Sequence, residues 1–277
     1  VLDEAQQKYV EKYYEKVASV HMLPLGATRA VYEGTKEPEC RILFPGTYDR
    51  PDAVYQIVEN APEPLGSTMK DLIERRLADP TLPMEEAFSQ QLKEEKLELP
   101  AGQFALFMNS MYAVDAYVRD YFRKAALDAL LAEKLPVTVF GEGWEKYSCG
   151  DEHSLRREPA VPFALSFERI AKAHVLLNVS PIFNRGMHDR VPAGMANHAV
   201  VLTDENPYLR RTFTDGKELL FYSLEKPDTL CEQAERTLTD VRLREKIAAS
   251  AYETFEREYT WKRRAEQILA FAEEVEA

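Results

Sequence analysis

FERIAKAHVLLNVSPIFNRGMHDRVPAGMANHAVVLTD, residues 167–204, is the stretch that decides the fold. Residues 174–179 (HVLLNV) and 199–203 (AVVLT) are short, almost wholly apolar runs. Such runs fit strands buried on both faces. A helix is predicted between them, within residues 189–197, and a short one before them, over 167–172. Downstream, Asn206-Pro207 offers a capping side chain followed by Pro at the first helical position, which starts another helix. Asp215-Gly216 is a turn and residues 219–222 a further strand. Two or three helices finish the chain, bent at Tyr259-Thr260-Trp261. Upstream, residues 136–140 form a strand ending in Gly141-Glu142-Gly143-Trp144, and residues 41–44 a strand stopped by Pro45-Gly46. Strands alternating with helices predict an α/β fold, a doubly wound parallel sheet with helices on both faces.

The remaining segments are helical. Residues 51–133 read as a helical insertion, with an acidic, polar stretch at 84–97. Residues 103–131 are predicted to be one long helix, with Phe104, Phe107, Met111, Val114, Val118, Tyr121 and Ala125 on its core stripe. Near the start, Leu2, Ala5, Tyr9, Tyr13, Val17 and Val20 fall at steps of three and four, giving an amphipathic helix over residues 3–19. Pro24 and Gly26 then mark a crossing loop.

Composition narrows the function. With 277 residues and 45% hydrophobic content, the chain can bury one large core. A net charge of −12 repels a phosphate-coated polymer, so nucleic acid is not an expected partner. Cys40, Cys149 and Cys231 are odd in number and widely spaced, which fits free thiols in a reducing cytoplasm. No apolar run approaches the roughly 20 residues of a membrane helix, so no integral membrane segment is expected. Val1-Leu2-Asp3-Glu4 turns polar at once and lacks a signal peptide's apolar segment. A chain opening on Val1 is expected to be part of a longer protein.

In open parallel sheets, ligands bind beyond the carboxyl ends of the strands. The residues found there are Gly46-Thr47-Tyr48, Gly141 to Trp144, Asn178 to Pro181, and Asn184 to Arg190. Glycines let a backbone approach a phosphate, and Arg185 and Arg190 can grip one in fork geometry. Each feature has a plainer reading. Gly-x-Gly is equally a tight turn, His188-Asp189 equally a surface pair, and Arg190 equally a structural partner of a carboxylate. Cys149, Asp151, Glu152 and His153 fit no standard metal frame. No Asp-x-Asp, phosphate-binding P-loop or Gly-x-Ser-x-Gly elbow is present, so no metal is expected.

Taken in order, these pieces resemble the C-terminal half of group 1 glycosyltransferases of the GT-B fold. Residues 21–26 (HMLPLG) resemble its interdomain segment, 41–48 the first strand of its second domain, and 137–144 the strand and Gly-x-Gly-Trp that follow. Residues 167–181 resemble the helix and strand leading to the donor site. His188-Asp189-Arg190-Val191, with Met195, Ala199-Val200 and Thr203-Asp204, resembles a bacterial subgroup carrying an HDRV-type motif. Residues 259–264 resemble the closing helix, which in the family packs back on the first domain. The resemblance runs from residue 17 to about 269 and is weakest over 51–133. The family's Glu, seven residues, Glu pattern is replaced by Arg185 and Ala193, and its usual glycine by His198. Pro192, just before Ala193, predicts a late or distorted helix after Arg190.

The resemblance implies three parts: residues 1–30, a remnant helix and interdomain segment; 31–257, a nucleotide-sugar-binding domain with the insertion at 51–133; and 258–277, the closing helix. The donor is a nucleotide diphosphate sugar, no other cofactor is implied, and the acceptor sits on a missing N-terminal domain. His188 and Arg190 are the expected catalytic residues, stabilising charge on the departing diphosphate. Gly46, Gly141, Gly143, Trp144, Ser180, Asn184, Arg185, Gly186 and Asp189 are expected to bind the donor. The alternative, favoured by Ala193, is a non-catalytic nucleotide-sugar-binding or scaffold module.

Overall fold

Period-two alternation sorts each strand's side chains onto two faces, and in this chain both faces are apolar. A computed structural model describes residues 1–30 and 39–276. The expected domain start at residue 31 lies outside the described residues. Six strands form one sheet: β1 (Cys40–Pro45), β2 (Val137–Phe140), β3 (Leu155–Glu158), β4 (Ala173–Asn178), β5 (Val200–Asp204) and β6 (Leu220–Tyr222). Every pairing is parallel, in the order β3-β2-β1-β4-β5-β6. Ile42, Phe44, Val175, Leu177, Val200 and Leu202 point into one core, and Leu43, Leu176, Val201 and Phe221 into the other.

The first core is shared with the helical insertion, α2 (Pro51–Glu59), α3 (Leu65–Ala78), α4 (Met84–Glu94), α5 (Ala101–Ser110) and α6 (Tyr112–Ala132). The opening helix α1 (Glu4–Tyr13) docks on this insertion, with Tyr13 stacked on Phe104 at 4.6 Å. The second core is covered by α7 (Phe163–Ala171), α8 (Arg190–Ala196), α9 (Pro207–Thr212) and part of α11 (Val241–Glu258). Helix α10 (Pro227–Thr239) packs on the first core, and α12 (Trp261–Glu276) ends the described chain.

Several sequence expectations need correction. The single helix over 103–131 is two helices, broken at the fully buried Met111. The Met111 N–H bonds back to Met108 and the Val114 N–H to Met111, two tight turns at the break. The predicted stripe holds across it through Val114 and Val118, both fully buried. Further on Tyr121 is 41% exposed, and Phe122 and Ala126 take the core positions. The opening helix stops at Tyr13 rather than running to 19, because it leaves the surface of the insertion and Val17 has nothing to cover it. Strand β3 carries Arg156, Arg157 and Glu158 and gave no apolar signal, as suits a sheet edge. Helix α8 starts directly at Arg190, because Pro192 falls in its first turn, where a missing N–H costs no helical bond. Asn206 does cap α9, accepting the Leu209 N–H at 2.8 Å.

Helix α8 lies very close to the sheet. A Cβ on Gly194 would stand 2.4 Å from Val201 Cγ2 and 2.9 Å from Leu176 Cδ2, both on fully buried strand residues. Gly194→Ala is therefore expected to destabilise the chain by about 1–3 kcal/mol, as overpacking does. Denaturant unfolding measures this, and a midpoint equal to the parent's would show that the helix lifts freely.

Candidate functional site

The strand order reverses between β1 and β4, where neighbouring crossovers depart to opposite faces and open a crevice. A cavity of about 620 Å³ occupies this point. Its polar lining includes Thr47, Glu142, His188, Asp189 and Arg190, beside the glycines Gly46 and Gly141. Its apolar lining includes Val161, Phe163, Phe167 and Ile170, and Leu25 and Trp261 also border it.

The loops after β1 and β2 are laced together. The Gly46 N–H donates to the Phe140 carbonyl at 3.0 Å and the Tyr48 N–H to the Glu142 carbonyl at 2.9 Å. This explains the Gly-x-Gly. Gly141 and Gly143 hold positive φ of 133° and 86°, and a Cβ would fall 2.1 Å from the Gly46 oxygen and 1.9 Å from the Tyr48 oxygen. Trp144 braces the loop from behind, donating through Nε1 to the Gly46 carbonyl at 2.7 Å and stacking on Tyr48 at 5.1 Å. Trp144 is buried, and neither it nor Gly143 borders the cavity. Thr47 does border it, and its N–H and hydroxyl carry no hydrogen bond among the described residues.

Arg190 is held from below by a buried network at the ends of β4, β5 and β6. Its Nη1 donates to Asn178 Oδ1 at 2.8 Å, and Ser180 Oγ donates to the same atom at 2.9 Å. Asn178 Nδ2 donates to Thr203 Oγ1, and the Tyr222 hydroxyl to the Asn178 carbonyl, each at 2.9 Å. Asp204 Oδ1 accepts the Ser180 N–H at 2.9 Å. Burial pushes the Asp204 carboxyl up to about 7 and lowers the Arg190 guanidinium. Ser180 thus orders the network and does not face the cavity.

His188 is neutral in this setting. Burial, then the Arg190 charge, pushes it down to about 4. Its Nδ1 lies 2.5 Å from Asp189 Oδ1. Burial opposes ionisation of Asp189, but the His188 bond prevails and lowers its pKa. The same Nδ1 also accepts the Arg190 backbone N–H at 3.2 Å, which ties the ring to the start of α8. A neutral imidazole adds no formal positive charge to the site, so any stabilisation it gives a ligand is by hydrogen bonding.

Asn184, Arg185 and Gly186 lie away from this cavity. Asn184 donates to the carbonyls of Pro80 and Pro181, both at 2.8 Å. The Arg185 N–H donates to Asp3 Oδ2 at 2.8 Å, and its guanidinium lies 3.5 Å from Glu86. Gly186 bridges to Asp3, close enough that a Cβ would stand 2.4 Å from the Leu2 oxygen. The structure therefore brings Gly46, Gly141, His188, Asp189 and Arg190 together around one cavity and places the other candidates behind or beside it. Sequence reading missed Asn178 as the anchor of Arg190 and the part of the apolar wall at Val161 and Phe163, since β3 and the loop after it gave no signal. Ala193 borders the cavity with a methyl group where the resembling family has a carboxylate. Among the described residues no group of three His, Cys, Asp or Glu could hold a metal, and no helix is long and apolar enough to cross a membrane.

A glycosyl transferase-like family profile matches residues 119–270, more than half of the chain, and the chain belongs to that family. No curated protein matches the sequence. Among solved structures, sucrose-phosphate synthase from Thermosynechococcus elongatus is similar with TM-score 0.55 and 12% identity, over 99% of this chain and 57% of that one. TarM of S. aureus gives 0.52 and 10%, over 98% and 42%. The pneumococcal O-GlcNAc transferase GtfA gives 0.50 and 13%, over 98% and 43%. These likenesses establish a GT-B-type α/β fold, and the chain spans about half the length of the structures it matches.

Proposed function

We propose that this chain is the donor-binding part of a glycosyltransferase and takes a nucleoside diphosphate sugar in the cavity at the β1/β4 switch point. The carrying observation is that one cavity is bordered both by Gly46, Gly141 and Arg190 and by the apolar Val161, Phe163, Phe167 and Ile170. The diphosphate lies on Thr47 and Arg190, the base against Val161, Phe163 and Phe167, and the sugar toward His188. In the reaction an acceptor hydroxyl oxygen bonds to the anomeric carbon as that carbon's bond to the β-phosphate oxygen breaks, and the hydroxyl proton passes to the departing diphosphate or to a base on the acceptor domain. The nucleoside diphosphate leaves with the electron pair, and Arg190 stabilises its charge. A structure of the similar GtfA holds UDP and GlcNAc, and one of TarM holds UDP, which supports this reading.

The acceptor comes from a second, N-terminal domain, consistent with the chain's 42–57% coverage of its structural relatives. Residues 1–30 are the junction to it, and α12 closes back on it, with Trp261, Ile268 and Leu269 exposed for that contact. The HDRV run at 188–191 points to a bacterial subgroup, and the free cysteines to the cytoplasm. The second reading, a non-catalytic nucleotide-sugar-binding module, is favoured by Ala193 alone.

Calorimetry with UDP, ADP, GDP and TDP tests the proposal. Binding of at least one is expected in EDTA, because charge is met by guanidinium and not by metal. Binding that appears only on adding Mn²⁺ would overturn the metal-free assignment, and no binding of any would overturn the site. Acceptor-dependent nucleotide release by the protein joined to its first domain separates enzyme from binding module.

A further inference from the structure

We propose that Arg123, carried by the helical insertion, is a positioning residue of the diphosphate site that fixes the Gly46-Thr47 loop and supplies a second buried positive charge beneath it. This deepens the donor-binding reading and rests on it.

Helix α6 belongs to the insertion, yet Arg123 reaches from it to the carboxyl end of β1. Its Nη1 donates to the Thr47 carbonyl. Thr47 is the loop residue whose own N–H and hydroxyl stay free at the cavity wall. Arg123 and Arg190 share the Phe44 ring, with guanidinium carbons 5.9 Å and 5.6 Å from its centroid. Both also converge on one glycine. A Cβ built on Gly46 would stand 3.1 Å from Arg190 Nη2 and 3.8 Å from Arg123 Nη1.

Two buried cations this close need counter-charge, and the ionised Asp189 acts on Arg190 but not, among the described ion pairs, on Arg123. Asp120 is taken by Arg119, with bonds of 2.8 Å and 3.1 Å, and comes only within 3.9 Å of Arg123. Asp204 is buried beside Arg190, and burial raises its carboxyl to about 7, so it is only partly ionised at neutral pH. Arg123 Nε has no partner among the described residues, although its side chain is only 7% exposed. Burial, then the Arg190 charge, pushes the Arg123 guanidinium down to about 9, so it is still charged at neutral pH. The arrangement places two buried guanidinium groups with few carboxylate partners under a loop with free donors, and an anionic ligand completes it. The insertion is therefore part of the donor site.

The test uses inorganic pyrophosphate and UDP as probes on the whole chain, by calorimetry in EDTA across a range of KCl. Arg123→Met is expected to weaken both ligands about tenfold, the scale of one charge-assisted hydrogen bond. Arg123→Lys should recover part of that loss. The dependence of affinity on salt should flatten in Arg123→Met, because one cation facing the anion is gone. In an Arg190→Met background the further loss should be smaller, since the two charges act on one site. Wild-type affinity and salt dependence in folded Arg123→Met, with Arg190→Met still impaired, would assign Arg123 to structure alone. If Arg123→Met does not fold, full affinity and unchanged salt dependence in Arg123→Gln would overturn the proposal in the same way. Absence of any anion binding by the wild-type chain would instead remove the donor site itself.

Discussion

Arg190→Met is expected to keep the fold, with a Tm close to or above the parent's, while weakening nucleoside diphosphate binding about 10- to 100-fold. The two halves of this result have separate causes. Arg190 is buried with no carboxylate in direct ion-pair contact among the described residues, and desolvation disfavours its guanidinium more than the charges of Asp189 and Asp204 favour it. Met keeps the contact with Phe44 and removes the cost of the buried charge. Asn178 Oδ1, which loses the Arg190 bond, still accepts from Ser180 Oγ, so no buried acceptor is orphaned. The bond Arg190 makes to a phosphate in a dry cavity is of the charge-assisted kind, about 1.5–3 kcal/mol. Removing it costs one to two decades of affinity. A melt and a calorimetric titration on the same sample check both halves. A folded variant with unchanged affinity would make Arg190 a structural partner of Asn178 and nothing more.

The fold was legible where the sequence is most constrained. Parallel strands buried on both faces must be apolar along their whole length, and β1, β2, β4, β5 and β6 announced themselves in that way. β3 did not, because an edge strand pairs on one side only and tolerates Arg156 and Arg157. The break at Met111 was hidden because a tight turn passes through an apolar stripe without interrupting it. Of the site, the residues directly after β1, β2 and at the start of α8 could be read from strand ends, since that is where a parallel sheet opens. What the sequence could not display is direction. Gly143 and Trp144 sit one and two residues beyond the cavity-lining Glu142, yet the strand twist and the Trp144–Gly46 bond turn them to the rear. Arg123 is 67 residues from Arg190 along the chain, and only the packing of α6 brings their guanidinium groups to the same glycine.

Asp204→Asn is expected to raise stability above pH 7 and to leave it unchanged near pH 4. Burial raises the Asp204 carboxyl from 3.8 to about 7 in the folded chain. Between those values the folded chain holds a proton that the unfolded chain has released, so stability falls as pH rises. The protonated carboxyl contributes fully below about pH 4, and its contribution is lost as pH climbs through about 7. His188 works in the opposite sense over part of the same range. Its pKa is lowered to about 4, so its contribution is present above the unfolded value and lost as pH falls through about 4. A wild-type profile therefore mixes the two, and the difference between wild type and variant isolates Asp204. Asn preserves the shape and the Oδ1 acceptor for the Ser180 N–H. At about 1.36 kcal/mol per pKa unit the difference at pH 8 is on the order of 4 kcal/mol at most. That corresponds to roughly 2–4 °C in Tm for each kcal/mol in a chain of this size. The same charge bears on the ligand. Above pH 7 an ionised Asp204 offsets part of the Arg190 field, so the variant should bind pyrophosphate more tightly than wild type at pH 8 and equally at pH 5. Melts and titrations at the two pH values decide it, and parallel profiles for the two proteins would place the Asp204 carboxyl in its ordinary acidic range, ionised and paired within the network.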